Sequence, residues 1–213
     1  MIYLDNAATS FHKPDCVARA VVEAMQQAGN SGRGSSGEAM EASRIIFDTR
    51  CKIAQLFDVE GPECVAFTAN ATEALNTALF GILHPEREKV HAICTEMDHN
   101  SVLRPLYALE KRGMDLTILP ADGKGRISVD DLEVAIRPET KAIVCTHASN
   151  LTGNCNDIRS IGAIARKHGI LFIVDAAQTA GVFPISMKKD QIDILCFSGH
   201  KGLMGPQGTG AIC

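Results

Sequence analysis

The chain has 213 residues, of which 46% are hydrophobic and 22% charged, with a formal net charge of −4. That length supports one substantial core, and the composition is that of an ordinary soluble globular protein. The mild negative charge without a basic cluster gives nothing to attract nucleic acid or an anionic membrane, and no segment approaches the roughly 18 consecutive apolar residues of a membrane helix.

The opening MIYLDNAATS has an early acid, Asp5, and neither a cationic start nor an apolar run. No secretory signal is expected there, and a cytoplasmic location is. Residues 17–28 and 38–57 read as two helices. Beyond them short apolar runs alternate with amphipathic ones. Strands are expected at 64–68, 90–95, 115–120, 141–147, 170–175, 193–198 and 208–213, with helices such as 71–83 and 157–169 between them. In the second of these helices Ile158, Ile161, Ile164 and Ala165 recur at helical spacing, and Gly169 is placed to stop it. Strands alternating with helices predict an α/β fold, a mainly parallel sheet of about seven strands covered by helices on both faces. Residues 1–63 form an N-terminal helical segment in this reading, and 64–213 the α/β domain. None of the eight cysteines forms a C-x-x-C pair, which argues against a zinc site; no metal is expected. Cys64, Cys94, Cys145 and Cys196 fall in the strand-like runs, where cysteine acts as a small hydrophobe, and reduced thiols suit a cytosolic chain.

Ligands of such sheets bind outside the carboxyl ends of the strands, so the polar residues there come next. The run at 64–68 leads into ANATEALN, where a helix starting near Ala71 offers free backbone N–H groups to a phosphate and Thr72 adds a hydroxyl. After 90–95 comes EMDHNSV, with His99 among polar neighbours. After 141–147 comes ASNLTGN, where Asn150 could bind a substrate or cofactor oxygen and Gly153 permits a tight turn. Asp175 ends the next strand, with Gln178 three residues on. A carboxylate there caps a helix or holds a positive charge.

The stretch SGHKGLMGPQGTG, Ser198 to Gly210, sets Lys201 between His200 and Gly202. A P-loop needs glycine before the lysine and Ser or Thr after it, and the glycines Gly205, Gly208 and Gly210 have the wrong spacing for a dinucleotide fingerprint. A lysine for a Schiff base, an acid for a pyridinium nitrogen and a helix start for a phosphate are instead the three demands of pyridoxal 5'-phosphate. Lys201 would be the amine nucleophile, Asp175 would keep the ring nitrogen protonated, and Thr72, Ser198 and His200 would supply phosphate donors.

The motifs YLDNAAT, NATEALN, EMDHNSV, SNLTGN, VDAAQTAG and SGHKGLMGPQGTG, in this order, resemble those of cysteine desulfurases, class-V aminotransferase-like enzymes of pyridoxal phosphate fold type I. The resemblance implies conversion of L-cysteine to L-alanine, with sulfur passed to an enzyme cysteine as a persulfide and on to an acceptor protein. It places Lys201 on the cofactor and at the Cα proton. His99 would stack on the ring and assist acid–base steps, Asp175 would pair with the ring nitrogen, and Gln178 would bond the ring hydroxyl. Phosphate would be bound at Ala71, Thr72, Ser198 and His200. Asn150 would contact the substrate carboxylate or the cofactor, and Asn6, Ala7 and Ala8 would line the substrate side. Family members are considerably longer and form homodimers. The resemblance therefore implies that the substrate-binding arginine, the sulfur-accepting cysteine and a C-terminal small domain lie outside these residues, so that the 213 residues alone would be inactive in sulfur transfer. A selenocysteine lyase, another class-V aminotransferase, and a non-catalytic cofactor- or partner-binding module remain alternatives.

Overall fold

The computed structural model describes residues 2–32 and 34–213. Two helices come first, α1 (Asp15–Gln27) and α2 (Gly37–Phe57). Ser36 starts α2 by accepting a hydrogen bond from Ala39 N, satisfying one of the free N–H groups of the first turn. The sheet strands and their covering helices follow as β1 (Ala66–Thr68), α3 (Ala71–Ile82), β2 (His91–Thr95), α4 (Asn100–Glu110), β3 (Asp115–Leu119), α5 (Val129–Ala135), β4 (Thr140–Thr146), α6 (Ile158–His168), β5 (Leu171–Asp175), β6 (Ile194–Ser198) and β7 (Gly210–Ile212). Every expected strand is present. Side-chain caps open the helices: Asn70 before α3, Ser128 before α5 and Asp157 before α6. Gly169 closes α6 in the left-handed conformation, φ 67°, which glycine adopts without a Cβ penalty. Two further helices, α4 and α5, stand between the strands where the sequence reading sets no helix bounds. α4 contains Pro105, and α5 is only seven residues long.

The strands form one sheet in the order β1-β7-β6-β5-β4-β2-β3. The pairs β2–β3, β2–β4, β4–β5 and β5–β6 are parallel, whereas β7 runs antiparallel to both β1 and β6. An antiparallel neighbour needs no crossover helix, so β6 returns into β7 through a loop. That loop, residues 199–209, carries Lys201 and emerges at the carboxyl end of β6.

Alternate residues of each strand serve opposite faces. Ala92, Cys94, Ala142, Val144, Ile173 and Cys196 pack under α3 and α4, with Leu75, Leu79, Val102 and Leu106. Ile93, Ile143, Cys145, Phe172, Val174, Leu195 and Phe197 pack under α2, α5 and α6, with Phe57, Leu132 and Ile161. Burial on both faces is why the central strands read as continuous apolar runs. The chain leaves β2 through α4 on one face and β4 through α6 on the other, so a crevice opens at the carboxyl ends of these strands.

Cys94, Cys145 and Cys196 are buried in these layers, as expected, but Cys64 is exposed. It ends a short 3₁₀ turn, Pro62–Cys64, and only Val65 and the residues after it enter the strand region. Proline at the first position fixes the turn and pushes the strand start downstream.

Candidate active site

A cleft of about 220 Å³ opens where six segments meet. Ala71 and Thr72 come from the start of α3, His99 and Ser101 from the start of α4, Thr146 from the end of β4, and Ala148 and Asn150 from just beyond it. Asp175 ends β5, with Ala177 and Gln178 just after it, Ser198 ends β6, with His200 and Lys201 just after it, and Ala8 reaches in from the N-terminal segment. A larger hollow of about 700 Å³ adjoins it, sharing Gln178 and Lys201 and lined also by Tyr3, Asn6, Ser10 and His12. Asn6 thus faces the outer hollow rather than the cleft. Ala7 contributes its carbonyl, which accepts a hydrogen bond from Gln178 Nε2 at 3.0 Å.

His99 is the N-cap of α4. Its Nδ1 accepts from Ser101 N at 3.1 Å and lies 2.8 Å from Ser101 Oγ. With Nδ1 accepting, the neutral ring carries its proton on Nε2, away from the helix. Asp98 beneath it is buried and ties two strand ends together. Its carboxylate accepts from Thr95 N at 2.7 Å, Thr95 Oγ1 at 2.9 Å and Thr146 N at 2.5 Å. Burial nevertheless pushes this carboxyl up to about 7, with the hydrogen bonds opposing and the negative Asp175 adding to the rise.

Asp175 is 3% exposed and lines the cleft. Among the described residues its carboxylate accepts one hydrogen bond, from Ala177 N at 2.9 Å, and it makes no ion pair within 4.0 Å. Burial raises its pKa, which the Ala177 N–H and the positive charge of Lys201 partly offset. On the adjacent strand end, burial lowers the pKa of Lys201, and Asp175 opposes that shift. A buried carboxylate without an ion-pair partner fits a site that receives a cation, and a lysine held toward its neutral form fits a nucleophilic amine.

The start of α3 is pressed against this same edge. Asn70 Oδ1 accepts from Glu73 N at 2.9 Å and Glu73 Oε2 from Ala69 N at 2.6 Å, a reciprocal cap. Ala71 N donates to Ser198 Oγ at 3.0 Å, so the Ser198 hydroxyl proton is left to point elsewhere. The close approach depends on Gly210, where a Cβ would fall 2.8 Å from the backbone of Asn70 and from the carbonyl of Phe197. Serine, threonine and histidine donors at a helix start suit an anion such as a phosphate.

The sequence matches the aminotransferase class-V family model over residues 2–213. The chain belongs to that family. Its relatives include the cysteine desulfurase IscS of Shewanella baltica (strain OS223), 37% identical over 215 residues, covering 99% of this chain and 52% of the relative. Among solved structures, SspA in complex with cysteine matches all of this chain and 60% of its own at a TM-score of 0.90 and 35% identity. The apo cysteine desulfurase of Thermococcus onnurineus NA1 matches with a TM-score of 0.92 and 33% identity, covering 99% of this chain and 52% of that one. The chain spans about half the length of the curated relatives it matches.

Within this class-V framework the cleft gathers Ala8, Ala71, Thr72, His99, Asn150, Asp175, Gln178, Ser198, His200 and Lys201, all read as site residues in the sequence. Ser101, Thr146, Ala148 and Ala177 line it as well and carried no signal beyond their places next to strand ends. Asp98 beside His99 is a further residue of the site's foundation that the sequence pattern did not single out; three residues past a fully buried strand, a buried acid needs partners.

Proposed function

We propose that the chain is the cofactor-binding portion of a pyridoxal 5'-phosphate-dependent cysteine desulfurase. The observation that carries this reading is the meeting of Asp175, Lys201 and the start of α3 around one cleft. When bound, the cofactor would supply an electron sink that makes the Cα–H and Cβ–S bonds of a cysteine substrate easier to break. Asp175, buried and without a counter-ion, would hold the positive charge of the ring nitrogen. Ser198, Thr72 and His200 would hold the phosphate, and the Gln178 amide the ring hydroxyl. Lys201 Nζ, kept toward the neutral amine by burial, would hold the cofactor covalently and then move the proton of the substrate Cα. His99 would lie over the ring with its Nε2–H available to donate, and Asn150 would contact the substrate carboxylate. In the overall reaction the C–S bond breaks, alanine leaves, and sulfur passes to a cysteine thiolate as a persulfide. Among the described residues no cysteine lines the cleft, so this reading assigns that thiolate elsewhere. The reading extends to a homodimer that serves a sulfur-acceptor protein in iron–sulfur cluster assembly. Exposed apolar side chains on α1 and α2, Met25, Ile46 and Phe47, support a subunit or domain contact on that side.

The test is spectroscopic. Added pyridoxal phosphate is expected to give a visible absorption band with the parent chain and none with Lys201→Ala, and borohydride is expected to fix the label on the peptide containing Lys201. A band of equal strength in both proteins, or label scattered over surface lysines, would sink the proposal.

A further inference from the structure

Residues 2–14 contain no helix or strand, yet they are fastened firmly to the loop after β6. Four donors converge on the carbonyl oxygen of His200: Ser10 N at 3.2 Å, Ser10 Oγ at 2.9 Å, Lys13 Nζ at 3.2 Å and Thr9 Oγ1 at 3.2 Å. That carbonyl belongs to the peptide leading into Lys201. Lys13 Nζ also reaches Ser10 Oγ at 2.8 Å and Ser10 O at 3.1 Å, which joins the segment into one bonded cluster. Thr9 Oγ1 has a second neighbour, Nδ1 of the His200 ring, at 2.9 Å.

A hydroxyl has one proton to give, and a carbonyl oxygen has two lone pairs. Ser10 and Lys13 already saturate the carbonyl, so the Thr9 proton goes to the ring. Burial, followed by the charges of Lys201 and Lys13, pushes the His200 pKa below its ordinary value. A neutral ring has a single N–H, and the partner of one nitrogen decides which nitrogen carries it. With Nδ1 accepting from Thr9, the proton is on Nε2, the nitrogen left free for a ligand.

We infer that Thr9, backed by Ser10 and Lys13, is a positioning residue of the cofactor site: it fixes His200 as the Nε2–H tautomer, a hydrogen-bond donor to the phosphate, and pins the backbone leading into Lys201. The inference rests on the pyridoxal phosphate reading of the cleft. Its first test needs no cofactor. In the ¹⁵N-histidine-labelled 213-residue chain, long-range ¹⁵N–¹H correlation reads the His200 tautomer, assigned by His200→Gln. Parent and Thr9→Ser are expected to show Nε2–H, and Thr9→Val to lose that preference. The second test compares pyridoxal phosphate with pyridoxal, which lacks the phosphate. Thr9→Val is expected to weaken the former about tenfold and the latter less than about twofold, the size of one hydrogen bond to a charged group, with Thr9→Ser restoring both. A parent ring in the Nδ1–H form overturns the inference, even if Thr9→Val fails to fold. So does an equal loss for the two ligands, or no loss. An Nε2–H ring set by Thr9, in a chain giving no Lys201-dependent band, would uphold the Thr9–His200 couple and overturn only the reading of the cleft.

Discussion

One wall of the cleft is made by the ends of β2, β4, β5 and β6 and the start of α3, and burial holds it; the opposite wall, residues 2–14, is held by hydrogen bonds. On the first wall Ala71, Asp175 and Ser198 are buried, and their positions follow from strands packed on both faces. On the second, Ile2 and Leu4 are 88% and 91% exposed, and the segment meets the cleft through Ala7 on Gln178 and Thr9, Ser10 and Lys13 on His200. The two histidines show the contrast in miniature. His99 has its Nδ1 occupied by a residue two positions on, within its own helix cap, whereas His200 has its Nδ1 occupied by a residue 191 positions away. A buried wall changes only when packing changes, while a hydrogen-bonded wall can be adjusted one contact at a time.

The comparison breaks most severely at Gly210. A methyl group there meets only backbone, at Asn70 and Phe197, so α3 must lift from β7. Gly210→Ala is expected to cost about 3 kcal/mol, read as a lower urea midpoint, together with lost affinity for pyridoxal phosphate. An unchanged midpoint would mean that this wall is softer than its burial implies.

Next comes Asp98, which separates packing from charge. Its folded carboxyl sits at about 7, above its ordinary 3.8. The folded state therefore holds the proton more tightly, and the contribution of Asp98 to stability falls as pH rises through that window. Asn cannot ionise, so the stability of Asp98→Asn relative to the parent is expected to rise by about 2 to 3 kcal/mol between pH 5 and pH 8. A constant difference would show that the three hydrogen bonds keep Asp98 ionised throughout.

The smallest effect belongs to the other wall. Gln178→Met removes the amide that holds Ala7, and this exposed bond is worth less than about 1 kcal/mol. Global stability is expected to stay nearly constant while proteolysis within residues 2–14 accelerates, since local opening there is independent of the sheet. Unfolding of the whole chain in step with cleavage would show that the two walls are coupled.

What the sequence determined by itself was everything carried by near neighbours. Two-sided burial wrote the central strands as apolar runs, so all seven strands were legible. Cap chemistry marked the ends of α3 and α6, and the polar residues after each strand named Thr72, His99, Asn150, Asp175, Ser198 and Lys201 as site candidates. Strand and helix signals span a few residues, within reach of periodicity. Only the tertiary structure decided the antiparallel return of β7, the exposure of Cys64, the strap from Asp98 to Thr146 and the Thr9–Lys13 cluster on His200. Those features depend on which strands lie side by side and where a segment without secondary structure comes to rest. Hydrogen bonds joining residues 48 and 191 positions apart leave no periodic trace in the chain, because either partner alone reads as an ordinary polar residue.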